Sequence, residues 1–168
     1  KDSTRFAVIG DTGTGGIDQY RLAQQLIAVH AKFPFEFVLM TGDNMYGNES
    51  AQDYVNKFEA PYKQLLDAGV KFYASLGNHD DTDQIFYKPF NMDGMRFYSF
   101  KPKADLRVYA LDSNYMSEEQ MTWLTKELDD STSRWKVAFF HHPTYSTGGR
   151  QGSVLQLRQA LGPLLPKH

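Results

Sequence analysis

Residues 37–46 read FVLMTGDNMY, a hydrophobic run that stops abruptly at a glycine and an aspartate. The run has the composition of a strand buried on both faces, which is the usual state of strands in parallel sheets. An aspartate at such a point means little by itself, because aspartate also caps helices and starts turns. The pattern becomes informative because it recurs along the chain.

Three further segments have the same form. They are FAVIG before Asp11, FYASLG before Asn78-His79-Asp80, and VAFF before His141-His142. Ends of parallel strands lie side by side, and α/β proteins bind ligands in the crevice outside the carboxyl ends of their strands. Residues far apart in sequence are therefore expected to meet. Carboxylate, amide and imidazole donors together suit hard and borderline cations, which predicts a site for two metal ions.

The composition supports a globular protein and excludes several chemistries. At 168 residues with 41% hydrophobic residues, the chain fits one domain over residues 1–168. A net charge of −2 gives no electrostatic reason to expect nucleic acid or an anionic membrane as a partner. Cysteine is absent, which excludes disulfides and thiolate ligands. No apolar run reaches the ~20 residues of a membrane span, and the oligomeric state stays open.

Strand and helix patterns alternate along the chain, which predicts an α/β protein. Strands are expected at residues 6–10, 35–40, 70–76 and 135–140, with a hairpin at 96–100 and 106–111. Helices are expected at residues 18–30, at 54–65 with a break at Pro61, and after capping boxes at 117–120 and 153–156. The apolar stripe of the first helix should consist of Leu22, Ala23, Leu26 and Ile27.

Together these segments resemble the calcineurin-like metallophosphoesterases, and within them the purple (tartrate-resistant) acid phosphatases. The family pattern runs G-D, G-D-x-x-Y, G-N-H-[DE], H-x-P and G-H-x-H. This chain has the first four motifs, at residues 10–11, 42–46, 77–80 and 141–143. The tyrosine of the second motif, and the lack of a histidine directly after Asp11, are typical of the purple branch.

The resemblance implies a metal-binding role for each matching residue. Asp11 and Tyr46 would bind the first metal, Asp43 would bridge, and Asn78 and His141 would bind the second. Two carboxylates and a phenolate at the first position suit Fe(III), because a phenol ionises near neutral pH only beside such a charge. The second ion would be Fe(II), Zn or Mn.

The resemblance also implies a reaction and a fold. A metal-bound hydroxide would hydrolyse a phosphate ester while His79, oriented by Asp80, protonates the leaving group. The fold would be a four-layer αββα sandwich of two mixed sheets. Export to the periplasm or the outside of the cell would fit the family, although the sequence itself leaves the compartment open.

The chain departs from the family pattern in its last motif. G-H-x-H, which gives one histidine to each metal in the family, does not occur in the sequence. His30 lies beside the apolar stripe of a helix and His168 is terminal, so neither is expected to replace it. We therefore expect a chain without the last strands of the fold, as a piece of a longer active enzyme. The alternative is a catalytically impaired module that binds metal or phosphate.

Two other motifs favour different functions only weakly. Asp11-Thr12-Gly13 matches the triplet of aspartic proteases, but no second triplet occurs and a helix pattern follows at once. The glycine-rich loop at residues 13–16 lacks the Lys-Ser/Thr of a P-loop. Hydrolysis of phosphate esters at a two-metal centre remains the main expectation.

Overall fold

The structure is a computed structural model that describes residues 3–148, 152 and 154–167. Its strands are β1 (Phe6–Ile9), β2 (Phe37–Met40), β3 (Lys71–Ala74), β4 (Tyr98–Lys103), β5 (Leu106–Ala110) and β6 (Trp135–Phe139). Its α-helices are α1 (Ile17–Lys32), α2 (Ala51–Tyr54), α3 (Ala60–Asp67), α4 (Glu118–Asp130) and α5 (Leu155–Leu161). A π-helix (Val55–Glu59) joins α2 to α3, and short 3₁₀-helices lie at Thr82–Phe86, Lys88–Phe90 and Leu165–Lys167.

The strands form two separate three-stranded sheets. The first sheet, in the order β1-β2-β3, is parallel, and Val38 in its central strand lies between Ala7 and Phe72. The second sheet, in the order β4-β5-β6, is mixed, because β4 and β5 are antiparallel whereas β5 and β6 are parallel. The carboxyl ends of β1, β2 and β3 therefore lie along one edge of the first sheet.

The central strand of the first sheet is apolar throughout, and all four of its residues are buried. The sheet is therefore covered on both faces. Successive side chains of a strand point to opposite faces. Val38 and Met40 accordingly pack in the cluster that contains Phe58 of the π-helix, whereas Phe37 and Leu39 pack in a cluster with strands of the second sheet. Helices thus cover one face of the first sheet, and the second sheet covers the other.

The second sheet repeats this alternation. Val108 of β5 faces the first sheet, whereas Tyr109 packs with Leu124 of α4 and Leu157 of α5. The layers therefore follow the order helix, sheet, sheet, helix. This confirms the αββα sandwich that the resemblance implied. That residues 1–168 form a single domain stays a prediction.

The expectation that Leu22 belongs to the buried face of α1 is wrong. Leu22 is 38% exposed, and Gln19 and Ala23 occupy the buried positions instead. Gln19 can be buried because its side chain is paired: Oε1 accepts from the Gly15 backbone N–H, and Nε2 donates to the Lys57 carbonyl. A buried polar side chain with both ends satisfied carries little penalty.

The expectation that Pro61 divides the second helical stretch is also wrong. Helical structure runs from Ala51 to Asp67, and a π-helix lies directly before the proline. Proline has no N–H, so the Lys57 carbonyl four residues earlier cannot receive an α-helical bond. That carbonyl accepts the Gln19 amide instead, and the neighbouring Asn56 carbonyl accepts the Tyr20 hydroxyl at 3.1 Å.

The capping box predicted at residues 117–120 forms in part. The Ser117 hydroxyl accepts from the Gln120 backbone N–H at 3.1 Å, but the Gln120 side chain turns inward to the backbone of Asp112. The second predicted box starts at Ser153, which lies outside the described residues. No helix within the described ranges has the length and apolarity needed to cross a bilayer.

Candidate metal centre

Two glycines allow the ends of neighbouring strands to approach each other closely. Gly42 has a φ of +94°, and a Cβ there would lie 2.7 Å from the Gly77 nitrogen and 2.8 Å from the His141 Cβ. A Cβ on Gly77 would lie 2.2 Å from Oδ1 of Asp43. Any larger residue would force the segments apart. This explains physically why glycine precedes Asp43 and Asn78 in these motifs.

The two aspartates that follow β1 and β2 share an unusual backbone conformation. Asp11 has a φ of 56° and Asp43 a φ of 50°, in the left-handed region that aspartate tolerates better than most residues. A hydrogen bond of 3.0 Å from the Asp11 N–H to the Gly42 carbonyl joins the two segments. Strained conformations of this kind persist where the surrounding structure imposes them, and they cluster at functional sites.

The carboxylate of Asp43 lies at the centre of the site. Its Oδ2 accepts from the Tyr46 hydroxyl at 2.7 Å, whereas its Oδ1 lies 3.5 Å from Nε2 of His141 and accepts from the His79 backbone N–H at 3.1 Å. The side chain is only 2% exposed. The two oxygens therefore contact two different groups of ligand-type side chains, which is the geometry of a bridging carboxylate.

One group consists of Asp11, Tyr46 and Oδ2 of Asp43. The Tyr46 hydroxyl lies 3.4 Å from Oδ1 of Asp11 as well as beside Asp43. Burial, together with the hydrogen bond to Asp43 and the charges of both carboxylates, raises the pKa of Tyr46 above its usual value. The phenol therefore keeps its proton in the absence of a cation, and a cation bound among these oxygens would oppose that effect.

The other group consists of Asn78, His141 and Oδ1 of Asp43. His141 places Nδ1 at 3.1 Å from the Thr41 carbonyl, an acceptor to which a protonated Nδ1 can donate. Its Nε2 lies 3.0 Å from Asn78 Oδ1. Asn78 Oδ1, Asp43 Oδ1 and His141 Nε2 are thus close together, and all three are atom types that can bind a cation. Asp11, Asp43 and His141 also place one donor atom each within 4.8 Å of one another.

His79 and Asp80 differ in position and in partners. His79 is exposed, and its ring lies against Tyr46 with ring centroids 5.0 Å apart. Asp80 accepts four hydrogen bonds, from the backbone N–H groups of Met45 and Gly77 and from the side chains of Asn44 and Gln84. None of these reaches the His79 imidazole. In this structure Asp80 thus joins the Asp43 and Asn78 segments, and the orientation of His79 by Asp80 stays a prediction.

Sequence reasoning missed the residues that follow β5. Asn114 donates from Nδ2 to the Gly77 carbonyl at 3.1 Å and to the Leu76 carbonyl at 3.3 Å. Ser113 contacts Nδ1 of His142 through its hydroxyl at 3.1 Å. The signal was present, because the hydrophobic run at residues 106–111 ends in Asp112-Ser113-Asn114, just as the other runs end in polar residues.

His30 contacts Phe35 and not the residues of this centre. His30 lies 3.2 Å from the Phe35 carbonyl through Nε2, and its ring packs edge-on against Phe35 with centroids 4.7 Å apart. It is a structural residue, as predicted. His168 lies outside the described residues.

The comparisons with known proteins agree with this geometry. The model of the calcineurin-like phosphoesterase family matches residues 4–168. The chain belongs to this family. It is similar to purple acid phosphatase 17 of Arabidopsis thaliana, with 28% identity over 99% of this chain and 59% of the relative, which confirms the predicted resemblance to the purple acid phosphatases. The chain spans from 52% to 61% of the length of the curated relatives that it matches.

Solved structures show the same fold. A dimetal phosphatase from Danio rerio has a TM-score of 0.69 at 15% identity, covering 97% of this chain and 77% of that one. GAP50, described as the anchor in the inner membrane complex of Plasmodium, has a TM-score of 0.76 at 20% identity, covering 98% of this chain and 62% of that one. At these identities the likeness concerns the fold.

Proposed function

We propose that this chain is the metal-binding part of a phosphatase that hydrolyses phosphate monoesters at a dinuclear metal centre. The observation that carries the proposal is the contact of the two Asp43 oxygens with two separate ligand groups. Asp11, Tyr46 and Oδ2 of Asp43 would hold one cation, and Asn78, His141 and Oδ1 of Asp43 would hold the other. Both groups contain donor atoms that suit hard or borderline cations.

Two bound cations would activate a water molecule for attack on phosphorus and neutralise the charge that develops there. Residues of the chain position the ligand atoms. The Thr41 carbonyl lies where it can accept a proton from His141 Nδ1, and that tautomer would offer Nε2 to a cation. The exposed imidazole of His79 is placed beside Tyr46, and its backbone N–H is fixed on Asp43. His79 is therefore suited to protonate the leaving group of the substrate.

The first cation is proposed to be Fe(III), with Fe(II), Zn or Mn at the second position. Two carboxylates and a phenolate would place three anionic oxygens around the first cation, which favours a hard trivalent ion. The second position has one carboxylate oxygen, a neutral amide and a neutral imidazole, which suits a divalent ion. The raised pKa of Tyr46 makes the same point, because this phenol ionises only where a strong positive charge compensates for its two acidic neighbours.

The test combines elemental analysis, a visible spectrum and an assay with 4-nitrophenyl phosphate. We expect two metal ions per chain, a visible band that depends on iron, and hydrolysis of this monoester faster than of bis(4-nitrophenyl) phosphate. Asp43→Asn should lose both ions. Asp93→Asn is the matched control, because Asp93 has a similar φ of 51° and is exposed. The proposal would be rejected if the wild-type chain contained no metal after loading. Equal loss of metal in Asp43→Asn and Asp93→Asn would also reject it.

A second candidate is a module that binds metal or phosphate but does not turn over. It is favoured by the number of donors among the described residues, which is three for each cation position. GAP50, which shares the fold, is described as an anchor. A metal-loaded chain that binds inorganic phosphate in calorimetry, yet leaves 4-nitrophenyl phosphate intact, would favour this candidate over the phosphatase.

A further inference from the structure

The second cation position takes its ligands from two different sheets. Asn78 follows β3 of the first sheet, and His141 follows β6 of the second. The two sheets are separate, so no ladder of backbone hydrogen bonds fixes one relative to the other. Apolar packing between sheets is not directional, whereas metal–ligand distances must be met within about 0.2 Å. Directional contacts between the sheets are therefore important here: His141 Nδ1 meets the Thr41 carbonyl at 3.1 Å, and a second contact reaches the segment of Asn78.

Asn114 supplies such a contact. It follows β5 of the second sheet, and its amide donates to the carbonyls of Leu76 and Gly77 at 3.3 and 3.1 Å. These two residues directly precede Asn78 and lie beyond the last residue of β3. Leu76 and Gly77 are buried, so the amide also satisfies carbonyls that would be costly to leave without a donor.

The same short segment also contacts the ligand from the second sheet. Ser113 accepts from the backbone N–H of His142 at 3.0 Å, and its hydroxyl contacts Nδ1 of that histidine. His142 is the residue next to His141. Two consecutive residues, Ser113 and Asn114, thus contact the two ligand segments of one cation position.

This segment is itself firmly held. The buried Gln120 accepts from the Asp112 backbone N–H at 2.7 Å and donates to the Asp112 carbonyl at 3.0 Å. The Asp112 carboxylate accepts from the Asn114 N–H at 3.0 Å and pairs with Arg96 at 2.7 Å. Asn114 is therefore presented on a rigid loop, whereas its own side chain lies at an exposed position.

We infer that Asn114 is a positioning residue that sets the distance between Asn78 and His141 and so the affinity of the second cation position. The inference rests on the proposed dinuclear function. Removing a group that orients a metal ligand typically lowers metal affinity about 10–100-fold. The first position, built from Asp11 and Tyr46, should be unaffected.

The test is calorimetric titration of the purified metal-free chain with Zn²⁺, comparing wild type, Asn114→Ala and Tyr98→Phe. Tyr98 is the matched control, because its hydroxyl also crosses between the sheets, donating at 2.7 Å to the Ala74 carbonyl at the end of β3. We expect Asn114→Ala to weaken one of two Zn²⁺ equivalents about tenfold or more and to leave the other close to wild type. Its melting temperature should fall, because two buried carbonyls lose a donor. Tyr98→Phe should lower the melting temperature and leave both affinities unchanged.

The other outcomes are decisive in different ways. Two equivalents bound by Asn114→Ala with wild-type affinities would overturn the role of Asn114 and leave the dinuclear proposal standing. An increased KM for 4-nitrophenyl phosphate with unchanged Zn²⁺ affinities would also overturn it, because Asn114 would then contact substrate. Fewer than two equivalents in the wild type would instead contradict the dinuclear proposal itself.

Discussion

The phenol of Tyr46 donates a 2.7 Å hydrogen bond to Oδ2 of Asp43, three residues earlier in the chain. The turn between them starts at a residue with a left-handed backbone, which brings the two side chains to one position. Without a cation the phenol remains protonated, since burial and the neighbouring carboxylates raise its pKa. The same geometry allows both oxygens to bind one ion once the proton has left.

Replacing Tyr46 with Phe should remove the visible colour of the iron-loaded chain. In the proposed centre a ferric–phenolate pair would give the visible band, and phenylalanine provides no oxygen for it. Iron and zinc contents, measured in the same samples, should show that the second position is still filled. An absorption band that survives the substitution would rule out Tyr46 as a ligand of iron.

Replacing His79 with Ala should reduce turnover while leaving metal content unchanged. A positioned general acid contributes about 10²–10⁴-fold to rate, and His79 contacts the centre only through its backbone N–H and the face of Tyr46. The comparison should use an ester with a poor leaving group, because a good one needs no protonation. Loss of metal from the variant would show that His79 is a ligand instead.

Replacing Asp80 with Asn should destabilise the fold and weaken metal binding without altering the catalytic role of His79. The asparagine amide group would face backbone donors that now bond to a carboxylate oxygen, which costs about 1–3 kcal/mol in the free energy of unfolding. Urea unfolding and the pH profile of turnover test this together. A stable, fully metal-loaded variant with a shifted pH profile would support the orienting role that the resemblance implied.

The sequence predicted well which ligand-type side chains the fold brings together, because each of them follows a hydrophobic run. Parallel strands bring their carboxyl ends together whatever the loops do, so Asp11, Asp43 and Asn78 could be placed together without coordinates. The order of the layers was harder to foresee. Alternation within β2 decides how the first sheet is covered. Both faces of β2 are apolar, so its residue types carry no sign of which face meets the helices and which the second sheet.

The partners of Asp80 and the burial of Gln19 could not be predicted from sequence. Gln84 reaches Asp80 from a short 3₁₀-helix that has no hydrophobic periodicity to reveal it. Gln19 displaces Leu22 from the core because a π-helix distant in sequence presents a free carbonyl at Lys57. Contacts of this kind depend on the tertiary position of one backbone atom, and no local pattern encodes that.

Lys57 is predicted to stabilise the segment that contains Tyr46. Its ammonium donates to the Tyr46 carbonyl at 2.9 Å and to the Asn48 carbonyl, pairs with Asp53 at 2.9 Å, and has a side chain only 11% exposed. Lys57→Met should lower the free energy of unfolding by about 1–3 kcal/mol, because two carbonyls lose their donor. It should also broaden or weaken the iron-dependent visible band, since Tyr46 is held less firmly.

Lys63→Met is the matched control for Lys57. Lys63 pairs with Asp67 one helical turn away, with exposed fractions of 70% and 61%, so its loss should cost about 0.5 kcal/mol or less. The visible band should be unchanged in this variant. Equal effects of the two substitutions on urea unfolding and on the spectrum would show that Lys57 does not support the Tyr46 segment.

Tyr98 makes the chain sensitive to alkaline pH. Burial, with smaller effects from Tyr73 and Asp93, holds the pKa of Tyr98 well above its usual value. The stabilising contribution of the protonated phenol is complete below the pKa of about 10 of an unfolded tyrosine. It is lost as the pH rises above that value, because the unfolded chain then releases a proton that the folded chain keeps.

Tyr98→Phe should therefore be less stable than wild type at pH 8 but lose less stability between pH 8 and about pH 10.5. The deficit at pH 8 should be about 1 kcal/mol, since the Ala74 carbonyl loses its donor while the ring packing is kept. Urea unfolding at both pH values measures the difference, with Tyr115→Phe, at a position 69% exposed, as the control. Other tyrosines with a raised pKa also lower the stability at alkaline pH, in wild type and in Tyr98→Phe alike. Only the difference between the pH curves of these two proteins is therefore informative. Parallel curves for wild type and Tyr98→Phe would mean that the buried phenol does not resist ionisation.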